Sequence, residues 1–238
     1  MDVYDKLREA LRNVIQKHNL SGQHISVRCK ALSASEAIGK PEHRDYPIIK
    51  GREVMVEADF EGATGQAFTD EFENANYLVD DLLKIKLDSN KNRASFIASL
   101  NAIFRYLNLC DKTIHCKDNE PKDCAYHLPD AIGSFNKVLL VGYQPRFLEI
   151  LSSKYDIRVV DMDQDNIGSD IIGVTIEPPE MTEDAIKWCD LIFATGSTIV
   201  NGTITNFLKQ DKPVLFYGVT ISAAAQILGL NKYCHCGH

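Results

Sequence analysis

Apolar residues at helical spacing open the chain. Val3, Leu7, Leu11, Val14 and Ile15 predict an amphipathic helix, and Ser21-Gly22 marks its stop. The period then changes to two. Ile25, Val27, Cys29 and Ala31 alternate with Ser26, Arg28 and Lys30, which predicts a strand with Cys29 on its core face. Gly39-Lys40-Pro41 and Asp45-Tyr46-Pro47 punctuate a loop. A second strand points Val54, Val56, Ala58 and Phe60 one way and Glu53, Met55, Glu57 and Asp59 the other. The carboxylates on that other face read as a solvated sheet face, with a cation site as the alternative. Gly62-Ala63-Thr64-Gly65-Gln66-Ala67-Phe68-Thr69-Asp70 is expected to be a glycine-bearing loop. Helices are expected over 72–85 and 91–107, the second with Phe96, Leu100, Ile103 and Leu107 as its apolar stripe. Strands followed by helices, without alternation, suggest a small α+β unit.

After Gly133 the pattern changes. Short apolar strands are expected at 137–142, 157–161, 191–195 and 213–217, with helices between them. Thr182, followed by Glu183 and Asp184, reads as a helix N-cap with an acidic first turn. Strands this apolar are covered on both faces, as in a parallel sheet sandwiched by helices. The fold class expected is therefore a two-domain α/β protein: a small α+β domain over 1–112, then a Rossmann-like parallel-sheet domain over 113–238.

Composition narrows the function classes. The 238 residues are 45% hydrophobic and 25% charged, which is globular material, and the size falls between one domain and two. A formal net charge of -7 argues against nucleic acid as a partner and against an anionic membrane surface. No apolar run approaches the roughly 20 residues needed to span a bilayer. Met1-Asp2-Val3-Tyr4-Asp5-Lys6 has neither a basic nor an apolar signal region, so a cytoplasmic location is expected. Seven cysteines in a reducing compartment read as buried thiols, metal ligands or reactive thiols before disulfides. A homodimer is left open.

Ligands of open α/β sheets sit beyond the carboxyl ends of the strands. Gly142-Tyr143-Gln144-Pro145 is one such loop. It lacks the second and third glycines of a dinucleotide cradle, and a plain strand-to-helix turn with Pro145 in the first helical turn explains it equally well. Asp161-Met162-Asp163 ends the next strand, at the spacing of a ribose-binding acid, though a turn cap is the other reading. The sharpest loop is Thr195-Gly196-Ser197-Thr198-Ile199-Val200-Asn201-Gly202-Thr203. Hydroxyls, backbone N–H groups and a helix start would converge there on a phosphate or carboxylate. Gly218-Val219-Thr220 is a shorter version. A hydrolase nucleophile elbow, a Walker lysine and an H-E-x-x-H helix are all missing from the sequence.

Cys29 and Cys189 read as core. Cys110, His115, Cys116, Cys124 and His127 crowd one segment, and Cys116-x7-Cys124 is not a standard zinc pair. Cys234-His235-Cys236-Gly237-His238 places two thiols and two imidazoles in five positions. Cys116, Cys124, Cys234, Cys236 and His238 are the candidate metal ligands. Zinc, iron or another soft metal is the cofactor such donors would hold.

Several stretches resemble a heavy-metal-chelation family that joins an enolase-N-terminal-like domain to a Rossmann-like domain and carries a domain-of-unknown-function label. They are Gly65-Gln66-Ala67-Phe68-Thr69-Asp70, Ser99-Leu100-Asn101-Ala102, the 115–124 run, Gly142-Tyr143-Gln144-Pro145, the 161–168 run and, most specifically, the 195–203 stretch. The resemblance implies a cleft between the domains. Gln66, Thr69 and Asn101 would face it from the first domain, and Gln144, Asp161, Asn166, Ser197, Thr198 and Asn201 from the second. With Thr195, Gly196 and Thr203 these form the expected ligand-binding set. The implied role is metal or metal-chelate handling, with no enzyme activity identified.

Three functions are therefore carried. The first is a cleft for an anionic small molecule or metal chelate. The second is a nucleotide-cofactor enzyme, such as a transferase using S-adenosylmethionine. The third is a cysteine-based metal-delivery or redox protein.

Overall fold

A computed structural model describes residues 2–30, Gly39 and 53–238, without the side chains of 28–30. Apart from Gly39, the predicted loop at 39–47 and the core placement of Cys29 therefore lie outside the described residues.

Helix α1 (Val3–His18) is set by its N-terminus. Asp2 and Asp5 close a capping box, and Leu7, Leu11 and Ile15 are buried at the predicted spacing. Asn19, in the left-handed region, ends it. Strands β1 (His24–Lys30), β2 (Val54–Phe60), β3 (Ala63–Thr69) and β4 (Ala75–Leu78) form an antiparallel sheet in the order β3-β2-β1-β4. They are followed by the single turn α2 (Val79–Leu82) and by α3 (Asn90–Tyr106).

Two expectations fail here. The glycine-bearing stretch after β2 is a strand and not a loop. Glu61 and Gly62 both take positive φ, 51° and 82°, and join β2 to β3 in a two-residue hairpin with Phe60 opposite Ala63. Gly65 lies in that strand because α3 lies against it: a Cβ there would sit 2.2 Å from the backbone nitrogen of Ala102. The helix expected over 72–85 is β4 plus one helical turn. β1 would otherwise present an open edge, and pairing with β4 satisfies backbone groups that a local helix would leave unpaired on β1.

The second half runs α4 (Glu120–Tyr126), α5 (Leu128–Ile132), β5 (Lys137–Val141), α6 (Pro145–Ser152), β6 (Asp156–Val160), β7 (Asp170–Ile171), β8 (Val174–Glu177), α7 (Thr182–Trp188), β9 (Leu191–Thr195), α8 (Thr198–Asn201), α9 (Thr205–Leu208), β10 (Val214–Tyr217), α10 (Ser222–Leu228) and β11 (Asn231–Tyr233). The sheet order is β11-β10-β9-β5-β6-β8-β7. Every pair is parallel except the β7–β8 edge hairpin. Leaving out β7, the strands in chain order follow the 3-2-1-4-5-6 arrangement of doubly wound folds. The predicted strands are present, and β7, β8 and β11 are added to them. Thr182 is the first helical residue of α7, and its hydroxyl donates to Pro179 O at 2.6 Å instead of capping the helix.

Alternation along β5 explains the layers. Val138 and Leu140 pack with Leu128, Phe147 and Leu148 on one face. Leu139 and Val141 join the opposite cluster, which continues through Ile192, Ala194 and Phe216 into Leu7, Phe60 and Phe96 of the first unit. The two sheets thus share one hydrophobic cluster. Among the described residues no helix is long and apolar enough to cross a membrane.

Candidate functional site

In this topology the strand order reverses between the parallel neighbours β5 and β9, and the crevice at their carboxyl ends is where such folds take ligands. A cavity of about 1030 Å³ opens there. It is lined by the loops after β5, β6, β9 and β10, by Glu53, Phe68, Thr69, Asp70 and Asn90 of the first unit, and by His115, Cys116, Cys124, Tyr233 and Cys234. Of the expected ligand set, Thr69, Gln144, Asp161, Asn166, Thr195, Ser197, Thr198, Asn201 and Thr203 line it.

Many of these polar atoms are already engaged. Gln144 caps α6 by accepting the Phe147 N–H at 2.6 Å, with Pro145 as the first helical residue. Asp161 accepts the Tyr143 N–H at 2.5 Å and the Asp163 N–H at 2.7 Å, so one carboxylate clasps two loops, and the Asn166 side chain bonds it as well. Thr198 Oγ1 donates to Thr195 O at 2.8 Å. Thr203 Oγ1 donates to Asn201 Oδ1 at 2.7 Å. Thr69 Oγ1 donates to Glu71 O at 2.9 Å.

The helix expected to open in the 195–203 stretch is the single turn α8, closed by Gly202 at φ 84°. One turn sums few peptide dipoles, so anion attraction by a helix terminus is small here. The first unit also holds this loop. Tyr4 Oη donates to Ile199 O at 2.8 Å, and Arg93 Nε to Val200 O at 2.5 Å.

Gln66, Asn101 and Gly196 stand behind the cavity wall. Gln66 is buried, with Nε2 donating to Glu57 Oε2 at 2.8 Å and Oε1 accepting the His115 N–H at 2.7 Å. Asn101 is wholly buried. Its Nδ2 faces the carbonyls of Gln66, Val219 and Thr220, and its Oδ1 accepts the Ala223 N–H at 2.9 Å. It is a bolt between the two sheets. Thr220 works beside it, accepting the Phe68 N–H at 3.1 Å, so the shorter loop after β10 is a joint. Gly196 is buried and gives its N–H to Tyr217 O at 2.8 Å.

The cavity gathers carboxylates, and Glu53 is the one whose place differs from the leading expectation. Its face is expected to be solvated, with a cation site as the alternative, yet Met55 on that face is fully buried and Glu53 lines the cavity. Burial, then the charges of Asp161, Asp163 and Asp70, push its pKa up to about 7. Burial also raises that of Asp161, against the N–H groups that bond it. Glu180 and Glu183 line the same cavity, and Lys209 is the one Lys or Arg among its described lining residues. The alternation of β2 could not locate Glu53, because what covers that face is the other sheet's loops.

At the other end are the thiols. Cys116 and Cys124 are buried, and Cys234 and Cys236 are half-buried; all four are free. Cys116, Cys124 and Cys234 line the cavity, while Cys236 and His238 do not. Burial, then the neighbouring thiols, raises the pKa of Cys116 well above the usual range, and burial raises that of Cys236 to about 11. The 231–238 segment is tied down throughout. Tyr233 Oη donates to Cys124 O, and Lys112 Nζ to His235 O at 3.0 Å. Ile114 and His238 exchange both backbone hydrogen bonds at 2.9 Å. His238 Nε2 is 2.9 Å from a Glu120 carboxylate oxygen, so this imidazole is engaged as a clamp. His235 stacks on His127 at 4.1 Å. His115 Nδ1 lies 2.6 Å from Cys116 O, which can only accept, so Nδ1 carries the proton and Nε2 the lone pair. Burial pushes its pKa down to about 4, keeping it neutral. Among the described residues no three or more His, Cys, Asp or Glu side chains are already posed around a metal position. Cys189 is buried in the core, as expected.

Residues 126–230 match the model of the family DUF364, described as "Putative heavy-metal chelation", so the resemblance read from the sequence holds over that stretch. A DUF364 protein of unknown function from Pyrococcus horikoshii has a similar fold, with a TM-score of 0.58 at 15% identity, covering 92% of this chain and 80% of that one. Another, from Desulfitobacterium hafniense DCB-2, matches with a TM-score of 0.50 at 14% identity, covering 74% of this chain and 72% of that one. At these identities the likeness is one of fold. No curated protein matches the chain.

Proposed function

We propose, taking the match to a heavy-metal-chelation family as the premise, that the cleft receives a metal ion carried in a chelate. The carboxylates of Glu53, Asp70, Asp161 and Asp163 draw the cation. The hydroxyls and amides of Thr195, Ser197, Asn201 and Thr203 engage the oxygen atoms of the chelator. The observation that carries this reading is the convergence of those four carboxylates from both sheets on one cavity with Lys209 as its single described Lys or Arg. A bare phosphate or carboxylate would meet like charge in a partly desolvated site, where repulsion is strongest. A cation meets hard oxygen donors. A chelate brings donors of its own, so the protein need supply charge and hydrogen bonds and not a closed coordination shell.

Calorimetric titration with an iron(III)–citrate complex, against citrate alone, tests it. The complex should bind at least about tenfold more tightly than citrate, a difference of about 1.4 kcal/mol. Asp161→Asn should weaken the complex by about tenfold, and Ser197→Ala by a smaller factor. Equal binding of citrate with and without the metal would overturn the reading.

A further inference from the structure

The order β9-β5-β6 puts the loop after β6 and the loop after β9 on opposite sides of the crevice. A side-chain contact spans it: Asn201 Nδ2 lies 3.4 Å from Met162 Sδ. Both residues line the cavity. A thioether sulfur accepts only weakly, so a good donor is spent on a poor acceptor. The amide is not free to turn, because Asn201 Oδ1 accepts the Thr203 N–H at 3.0 Å and the Thr203 hydroxyl at 2.7 Å. Met162 sits on a fixed turn. Asp161 accepts the Asp163 N–H at 2.7 Å and the Tyr143 N–H at 2.5 Å, on either side of it. Met162 itself is open to solvent, 56% exposed against 38% for Met181 and 0% for Met55.

We propose that Met162 is a reversible oxidation site whose sulfoxide latches the two loops together across the crevice. The oxidant is a peroxide. One oxygen of hydrogen peroxide bonds to Sδ as the oxygen–oxygen bond breaks, and the other leaves as water with both hydrogens. The sulfur gives up two electrons and the peroxide takes them. The product is a sulfoxide, polar where the thioether was apolar. Its oxygen accepts strongly, and from a sulfur 3.4 Å away it comes within hydrogen-bonding reach of Asn201 Nδ2. A weak contact between the loops becomes a hydrogen bond. The Asn201 amide is then engaged at both ends and withdrawn from any ligand oxygen in the cavity. Methionine sulfoxide reductases restore the thioether. The latch does not depend on which ligand the cleft takes.

The test reads the loops directly and needs no ligand, so a failure of the chelate reading shows separately in the citrate titration. The full chain is treated with hydrogen peroxide, and each methionine is followed by mass spectrometry. Met162 should oxidise at least about tenfold faster than buried Met55, since attack follows exposure. Amide hydrogen exchange is then measured in the peptide that holds Thr203, whose N–H is bonded to Asn201 Oδ1. Exchange there should slow by about fivefold, the factor that one net hydrogen bond supplies. Treatment with both methionine sulfoxide reductases should restore it. Met162→Gln, kept from peroxide, carries an amide oxygen at a similar reach and should show the slower exchange. Met162→Leu has no sulfur to oxidise and controls for the cysteines, so peroxide should leave its exchange unchanged. Oxidation of Met162 no faster than that of Met55 would overturn the latch. So would unslowed exchange in both the oxidised wild type and Met162→Gln, or slowing that persists in Met162→Leu.

Discussion

At the carboxylate end of the cleft, Asp161, Gln144, Thr198 and Asn201 spend polar atoms on their own and neighbouring loops, so the wall is shaped before any ligand arrives. At the thiol end, the Gly237 N–H bonds Cys234, while Cys116 and Cys124 are engaged through their backbone carbonyls. They are held by a segment that returns from 231–238 and is pinned through backbone and aromatic contacts. One end concentrates negative charge; the other offers neutral sulfur and the neutral imidazole of His115. The difference teaches how one cavity can present hard and soft donors apart. Hard donors need charge gathered from two sheets. Soft donors need only position.

The largest expected effect strikes both ends together. Asn101→Ala removes the side chain that meets three carbonyls and one N–H in the core. Leaving those groups unpaired should cost about 4 kcal/mol of stability, measured by urea unfolding. A cost below about 1 kcal/mol would mean that the shared hydrophobic cluster and the other hydrogen bonds between the units join the sheets without Asn101.

Glu53→Gln separates the ends by pH. The folded-state pKa of Glu53 is raised to about 7 from 4.5. Its carboxyl is neutral in both states at low pH and contributes no penalty there. As pH rises from 4.5 through about 7, the unfolded chain ionises first, and the wild type should lose about 3 kcal/mol relative to the variant. Melting curves of both proteins across that range would show it. Ionised Glu53 also adds a negative charge to the cavity, so affinity for the iron–citrate complex should rise through the same window in the wild type only.

Gly237→Ala is the gentlest probe and acts at the thiol end. The new Cβ would lie 2.5 Å from Cys234 Sγ and 3.3 Å from Lys112 Cβ, so the thiol must move. Stability should fall by about 1 kcal/mol. The alkylation rate of Cys234 should change while chelate affinity does not. A parallel change in chelate affinity would mean that the two ends are mechanically coupled.

Much of the fold was legible in the chain. The spacing of Leu7, Leu11 and Ile15 set α1, and the apolar runs at 137–142 and 191–195 announced a covered parallel sheet. The 195–203 stretch was also legible as a cavity loop. The misses share a cause. β3 was read as a loop because Gly62 and Gly65 look like loop residues, when one makes a hairpin turn and the other makes room for α3. β4 has no pattern of its own strong enough to oppose a helix reading, and the free edge of β1 decides it. β11 is a short polar edge strand, and only its pairing with β10 identifies it.

The site divides in the same way. Local chemistry determined which loops end at the crevice, that Pro145 begins a helix and that thiols are concentrated in two segments. These follow from period, turn chemistry and composition, which act over a few residues. Tertiary structure alone decided that Glu53 meets Asp161 and Asp163, that Asn101 and Gln66 brace the wall from behind, and that His238 pairs with Glu120 while Cys234 reaches the cavity. Each of those facts depends on groups far apart in sequence being desolvated together. Burial and the charges that share it are properties of the assembled cavity, and no single segment carries them.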